Sequence, residues 1–198
     1  MNQILLATRN KHKAGEFQEL LDDLKVEVVT LDRFPHIGEV DEDADSLEGN
    51  ALKKAREVFF VAAIPTLADD TGLEVHYLNG EPGVYSSRFA GENASYADNV
   101  KELLKLMRGV PARRRAARFR CVLAFVAPGK VEYLAEGICP GVILEEPRGS
   151  HGFGYDPIFQ PDGFTRTFAE MDSATKNGIS HRGKAMQLMK EYLRNIRG

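Results

Sequence analysis

Ile4-Leu5-Leu6-Ala7-Thr8-Arg9-Asn10-Lys11-His12-Lys13-Ala14 begins apolar, turns polar from Thr8 to Lys13, and gives way to Ala14, Phe17, Leu20, Leu21 and Leu24 at helical spacing. An apolar run, a polar turn and then a 3.6-residue period read as a buried strand feeding an amphipathic helix. A strand, turn and helix in that order make the opening an α/β unit. Val26 to Leu31 reads as a second strand. Asp41 to Asp45 form an acidic loop, after which Leu47, Ala51, Ala55, Val58, Phe59 and Ala62 share one helix face, with Ser46 as the N-cap.

The apolar run Ile64-Pro65-Thr66-Leu67-Ala68 ends on Asp69-Asp70-Thr71-Gly72. Two adjacent carboxylates at the mouth of a buried strand repel each other, and a hard divalent cation is the simplest group to hold them there. Capping of a turn is the plainer alternative. Leu73, Val75 and Tyr77 then alternate with polar residues up to the turn signal Asn79-Gly80. Val84 to Gly91 is loop-like, and Tyr96, Val100, Leu103, Leu104 and Met107 mark a helix. Phe119 to Phe125 and Val131 to Ala135 make a hairpin about Pro128-Gly129, and Gly137 to Ile143 reads as a further strand. The last helix places Ala185, Met186, Leu188, Met189, Leu193 and Ile196 on its inner side. The expected architecture is a single α/β domain, residues 1–198, of two lobes around a mixed β-sheet.

A chain of 198 residues with 43% hydrophobic content supports one sizeable core, or two lobes around a cleft. A formal charge of −3 and a pI near 6.0 argue against a surface built to neutralise nucleic acid. The basic cluster Arg113-Arg114-Arg115 with Arg118 and Arg120 invites that reading, but Arg118 and Arg120 alternate with Phe119 and Cys121, as on the outer face of a strand. Cys121 and Cys139 match no metal motif and read as reduced, cytosolic thiols. Neither a signal peptide nor a membrane span is apparent, so the expected location is cytoplasmic.

Thr8, Asn10 and Lys13 lie where a helix N-terminus attracts phosphate, although the glycine spacing of a Walker loop is missing. A capped helix with solvated lysines explains the same residues. Gly152-Phe153-Gly154-Tyr155-Asp156-Pro157 offers glycines for close backbone approach and rings for stacking on a base, or else a plain aromatic-packed turn. Ser180-His181-Arg182 opens a helix, where Arg182 can grip an anion or a purine edge. Lys176 suits a solvated charge or a ligand contact.

These islands occur in the order Thr8-x-Asn10-x-x-Lys13, Asn50-Ala51-x-x-Lys54-Ala55, Ala68-Asp69-Asp70-Thr71-Gly72-Leu73, Pro82-Gly83-Val84-Tyr85-Ser86-Ser87-Arg88-Phe89-Ala90-Gly91, Phe153-Gly154-Tyr155-Asp156-Pro157 and Ser180-His181-Arg182. The set closely resembles the inosine/xanthosine triphosphate pyrophosphatase family over essentially the whole chain. The resemblance implies Mg²⁺-dependent hydrolysis of ITP, dITP and XTP to the monophosphate and pyrophosphate, by a homodimer, with the active site in the cleft between lobes of an α/β fold around a long mixed sheet. It implies Asp70 as proton acceptor and metal ligand, with Asp41 or Glu42 as the second ligand. Substrate contacts carried over in the same way are Thr8, Arg9, Asn10, Lys11, His12, Lys13, Lys54, Thr71, Phe153, Gly154, Tyr155, Asp156, Lys176, His181 and Arg182. The chain departs from the family pattern at Arg9, where glycine or histidine is usual, at Asp41, usually glutamate, at Thr71, usually serine, and at Leu47-Glu48-Gly49-Asn50, often Phe-x-Glu-Asn.

Three rival readings frame the tests. A related pyrophosphatase acting on other modified or pyrimidine triphosphates shares the same chemistry. A nonenzymatic nucleotide- or RNA-binding module would rely on the arginines. A haloacid dehalogenase phosphatase lacks its Asp-x-Asp motif after the first strand.

Overall fold

The computed structural model describes residues 2–196. The opening run forms strand β1 (Gln3–Leu6), and helix α1 (Lys11–Leu21) follows the polar turn. Asn10 starts α1 because its Oδ1 accepts the N–H groups of His12 and Lys13 at 3.0 and 3.3 Å, two of the donors that a first turn leaves unpaired. Strand β2 (Glu27–Thr30) comes next, and Ser46 caps helix α2 (Leu47–Ala62) by accepting the Gly49 N–H. The chain continues through β3 (Thr66–Val75), β4 (Pro82–Gly83), α3 (Tyr96–Leu106), β5 (Ala116–Ala127), β6 (Val131–Ile143) and β7 (Phe159–Pro161). Helices α4 (Ser173–Ile179) and α5 (His181–Asn195) end it. A reciprocal capping box between Ser95 and Asp98 starts α3.

The seven-stranded sheet has the order β2-β1-β3-β5-β6-β7, with β4 paired to β3. It is mixed: β1 runs parallel to β2 and β3, with Leu5 opposite Val29 and Thr66, while β3–β4 and β6–β7 are antiparallel. No helix among the described residues is long and apolar enough to cross a membrane.

The chain divides into two compact units, one made of residues up to Asp70, 121–137 and from Arg182 onward, the other of 71–120 and 138–181. Each owns a core. In the first, α1 and α5 bury Phe17, Leu21, Met186 and Met189 with Leu67 and Phe125 of the sheet. In the second, Leu103 and Met107 of α3 belong with Leu73, Phe119, Phe159 and Phe168. The boundaries fall inside β3, between Asp70 and Thr71, inside β5 after Arg120, inside β6 after Gly137, and at the start of α5, between His181 and Arg182.

Several expectations are corrected. Asp69 and Asp70 do not stand at a strand mouth; β3 runs straight through them, and they are only 1% and 5% exposed. Gly137 to Ile143 is the second half of β6 rather than a separate strand, and Tyr77 sits in a 3₁₀ turn. Helix α4 was not anticipated, being short and without an apolar period. Leu188 and Ile196 of the inner-face set are exposed: the helix buries a narrower stripe than expected at Leu188, and it ends at Asn195, before Ile196. The arginine cluster disperses: Arg115 is buried and donates to the carbonyls of Met107, Ile143 and Leu144 at 2.7 to 2.8 Å, while Arg118 and Arg120 pair with Glu74.

Gly72 of β3 lies where β4 crosses closest; a Cβ there would stand 2.6 Å from the Gly83 carbonyl oxygen. Gly72→Ala should therefore cost about 1–3 kcal/mol through overpacking, read as a lower urea midpoint. An unchanged midpoint would mean that β4 shifts away without penalty.

Candidate active site

In the first unit, β3 places two carboxylates on opposite faces of one strand, since neighbouring side chains alternate. Asp69 Oδ2 lies 2.9 Å from Lys13 Nζ of α1 and 3.5 Å from Arg182 Nη2 of α5. Burial opposes its ionisation, but the charges of Lys13, Arg182 and Lys54 outweigh that and hold Asp69 well below the usual carboxylate range. Lys13 stays firmly protonated for the reciprocal reason: burial works against its charge, and Asp69 more than restores it.

Asp70 is displaced the other way. Burial and the nearby Glu42 charge push its pKa up, against Lys13, Lys54 and a 3.0 Å hydrogen bond from Asn50 Nδ2 to its Oδ2. Asn50 is itself fixed, because its Oδ1 accepts the Ala44 N–H at 2.9 Å. Lys54 joins the two acidic segments: it pairs with Glu42 and donates to the Asp69 carbonyl at 2.8 Å. The result is a basic carboxylate, one oxygen tethered, between ammonium groups.

The remaining residues expected in this half divide. Thr8 Oγ1 accepts the Asn10 N–H at 3.2 Å, so both shape the turn before α1. The side chains of Arg9, Lys11 and His12 lie on the surface, and Arg9 Nη2 braces the turn by donating to the Ile37 carbonyl at 2.5 Å. Arg182 is 1% exposed, its guanidinium held by Glu16 at 2.5 Å and by Asp69. The guanidinium proposed to meet an anion or a purine edge is thus already engaged by two carboxylates of the protein.

Among the described residues, no three or more histidines, cysteines or acids group as a metal cage. Asp41 is exposed and acts on Lys53, whereas Glu42 is the acid whose charge reaches Asp70.

In the second unit, the loop from Gly152 to Pro157 wraps Asp156. Asp156 Oδ2 accepts the Phe153 N–H at 2.8 Å and pairs with Lys176 Nζ at 2.7 Å, both side chains nearly inaccessible. Gly152 is required here: its φ is +71°, and a Cβ would fall 2.1 Å from Asp156 Oδ2. The Lys176 ammonium lies over the Phe153 ring, 4.9 Å from its centroid, and Gly154 turns the chain at φ +61°. Tyr155 points inward, 4% exposed, donating its hydroxyl to the Ser86 carbonyl at 3.0 Å; burial raises its pKa. A ring so placed belongs to the core. Thr71 is half-buried, and His181 stacks on Phe119 with centroids 4.6 Å apart.

Three residues that shape the site had no role assigned from sequence. Glu16 stands one helical turn from Lys13, a spacing that puts both on one face. Asn50 is a polar residue on the apolar face of α2, a visible anomaly in the pattern. Asp69 was legible as an acid but not as the hub of the cations.

Carboxylates and ammonium groups gathered on a mixed sheet define an α/β protein equipped to handle charged ligands. More particularly, residues 4–192 match the Ham1 family, and the chain belongs to that family. A dITP/XTP pyrophosphatase of Geobacter sulfurreducens is 46% identical over 98% of this chain and 97% of its own. One of Desulforamulus reducens is 47% identical, covering 98% and 96%. The solved structure of a HAM1 protein from Coxiella burnetii superposes with a TM-score of 0.89 at 38% identity, over 98% of this chain and all of the other.

The Asp156–Lys176 pair yields a stability test. Removing one partner of a buried ion pair strands the other charge, so Asp156→Ala should lose about 3–5 kcal/mol. The double variant Asp156→Leu, Lys176→Met should recover most of it in urea unfolding. A single-variant loss below about 1 kcal/mol would mean that Lys176 escapes to solvent.

Proposed function

We propose that this protein hydrolyses the non-canonical purine nucleoside triphosphates ITP, dITP and XTP to the monophosphate and pyrophosphate, with Mg²⁺, clearing them from the nucleotide pool. The observation that carries the reading is Asp70, a buried carboxylate of raised pKa beside Glu42, with Lys13 and Lys54 close by. The activity named for relatives nearly half identical over full length supports it.

Glu42 and Asp70 offer oxygen donors only, and two carboxylates suit a cation that keeps its other positions for water and phosphate. Their mutual repulsion is what such an ion relieves. When bound, Mg²⁺ supplies neutralisation of the phosphate charge. Asn50 fixes the Asp70 carboxylate through its Oδ2; that carboxylate orients a water and takes its proton, and the raised pKa makes it a stronger base at neutral pH. Lys13 and Lys54 stabilise the charge that grows on the departing pyrophosphate. Thr8 and Asn10 hold the helix start that faces the phosphates, with Arg9, Lys11 and His12 contributing positive or polar surface around it.

The base falls to the residues of the second unit. Phe153 offers the stacking ring, Gly154 a close backbone, and Lys176 three N–H donors fixed by Asp156. A 6-oxo purine accepts from such a donor, whereas the 6-amino group of adenine presents N–H against it and leaves both unsatisfied. Thr71 and His181, also in the second unit, are further substrate contacts on this reading. Residues 1–198 form, on this reading, a single pyrophosphatase domain, cytoplasmic and homodimeric, with no nucleic-acid or membrane partner. The RNA-binding alternative loses its footing where Arg115, Arg118 and Arg120 are occupied by the protein.

With Mg²⁺, ITP should yield IMP and pyrophosphate much faster than ATP yields AMP, and Asp70→Asn should slow turnover about 10²- to 10⁴-fold. In ¹⁸O-labelled water the label should appear in IMP. Label confined to pyrophosphate would overturn attack at the α-phosphorus, and equal ITP and ATP rates would overturn the selectivity.

A further inference from the structure

Four side chains of the first unit form a chain of alternating charge. Glu16 meets Arg182 Nη1 at 2.5 Å, Arg182 Nη2 meets Asp69 Oδ2 at 3.5 Å, and that same oxygen meets Lys13 Nζ at 2.9 Å. Helix α1 supplies both ends, Lys13 and Glu16, a turn apart; α5 and β3 supply the middle. Arg182 and Asp69 are each 1% exposed, and Glu16 keeps 14% of its side chain accessible. Two cations and two anions cancel, which is how so many charges can be withdrawn from water together.

One oxygen of Asp69 is contested by two cations, and the cation nearer to it is Lys13. Arg182 keeps its longer distance because Glu16 pulls on it from the other side. Without that pull the guanidinium, able to bind a carboxylate through two N–H groups, closes on Asp69 and displaces the lysine. We propose that Glu16 is a positioning residue for hydrolysis: acting through Arg182 and Asp69, it holds the Lys13 ammonium where the triphosphate is received. This deepens the phosphate-handling role given to Lys13 above and rests on it. Glu16 itself touches no substrate.

The test is a double-mutant cycle on the Mg²⁺-supplied full chain with dITP. Glu16→Gln keeps shape and removes charge; it should lower kcat roughly ten- to a hundredfold, the cost of a misplaced group, with KM changed far less. In a Lys13→Met background the same substitution should have almost no further effect on kcat, because its route of action is gone. Additive losses would overturn the proposal and leave the phosphate role of Lys13 intact. Wild-type kinetics for Lys13→Met alone would overturn both. Thermal unfolding of each variant checks folding. If Glu16→Gln does not fold, Arg182→Lys serves instead: it keeps the cation but loses the fork, and should show the same non-additivity with Lys13→Met.

Discussion

A full negative charge sits on Asp69 at 1% exposure in the middle of a strand, and the first unit is arranged around neutralising it. An isolated carboxylate there would cost several kcal/mol in desolvation. Relief comes from cations on separate elements: Lys13 from α1, Arg182 from α5, and Lys54 of α2 on the backbone carbonyl. Helices that bury their apolar faces against the sheet can do so only in registers that also bring those cations to Asp69. Hydrophobic burial supplies the drive toward packing; the charge network selects among the packings.

The second unit repeats the device with different residues. Asp156 is satisfied by Lys176 and by the Phe153 N–H, so the loop around it has a fixed shape rather than a family of shapes. Tyr155 anchors the same loop through Ser86, whose Oγ accepts the Leu73 N–H at 2.9 Å and donates to the Gly83 carbonyl at 2.6 Å. The glycine-rich loop is therefore pinned by its buried Tyr155-Asp156 pair, while Phe153 and Gly154 just before it remain partly accessible. Stiffness before binding lowers the ordering cost of a ligand.

Much of the fold was legible because local rules and tertiary burial agree in β1, α1, α2 and α3, where apolar spacing and caps point the same way. The capping of α2 by Ser46 could be read directly from the sequence. Legibility failed where charge is buried. Asp69 and Asp70 look like a strand terminus to any rule that equates acid with solvent, and only the distant Lys13, Lys54, Asn50 and Arg182 make them strand interior. The pairing of Arg182 with Glu16, 166 positions away, was equally invisible in its motif. Sequence carries the residue types of such networks; the pairing belongs to the tertiary structure.

Asp69 and Asp70 differ by nothing in chemistry and by one residue in position, yet their acidities move apart. The alternation of a strand sends them to opposite faces. On one face Asp69 finds Lys13 and Arg182 and becomes a poor base, locked as an anion. On the other Asp70 finds burial, the Asn50 amide and the Glu42 carboxylate, and becomes a better one. Titratable neighbours whose environments separate them in this way divide the labour of structure and chemistry. The pairing also explains why the dipeptide cannot be thinned to one acid: without Asp69 the Lys13 ammonium would lose its 2.9 Å partner, whereas Arg182 would keep Glu16. The Lys13 charge already acts on Asp70, so a lysine released from Asp69 would pull that pKa down and weaken the base.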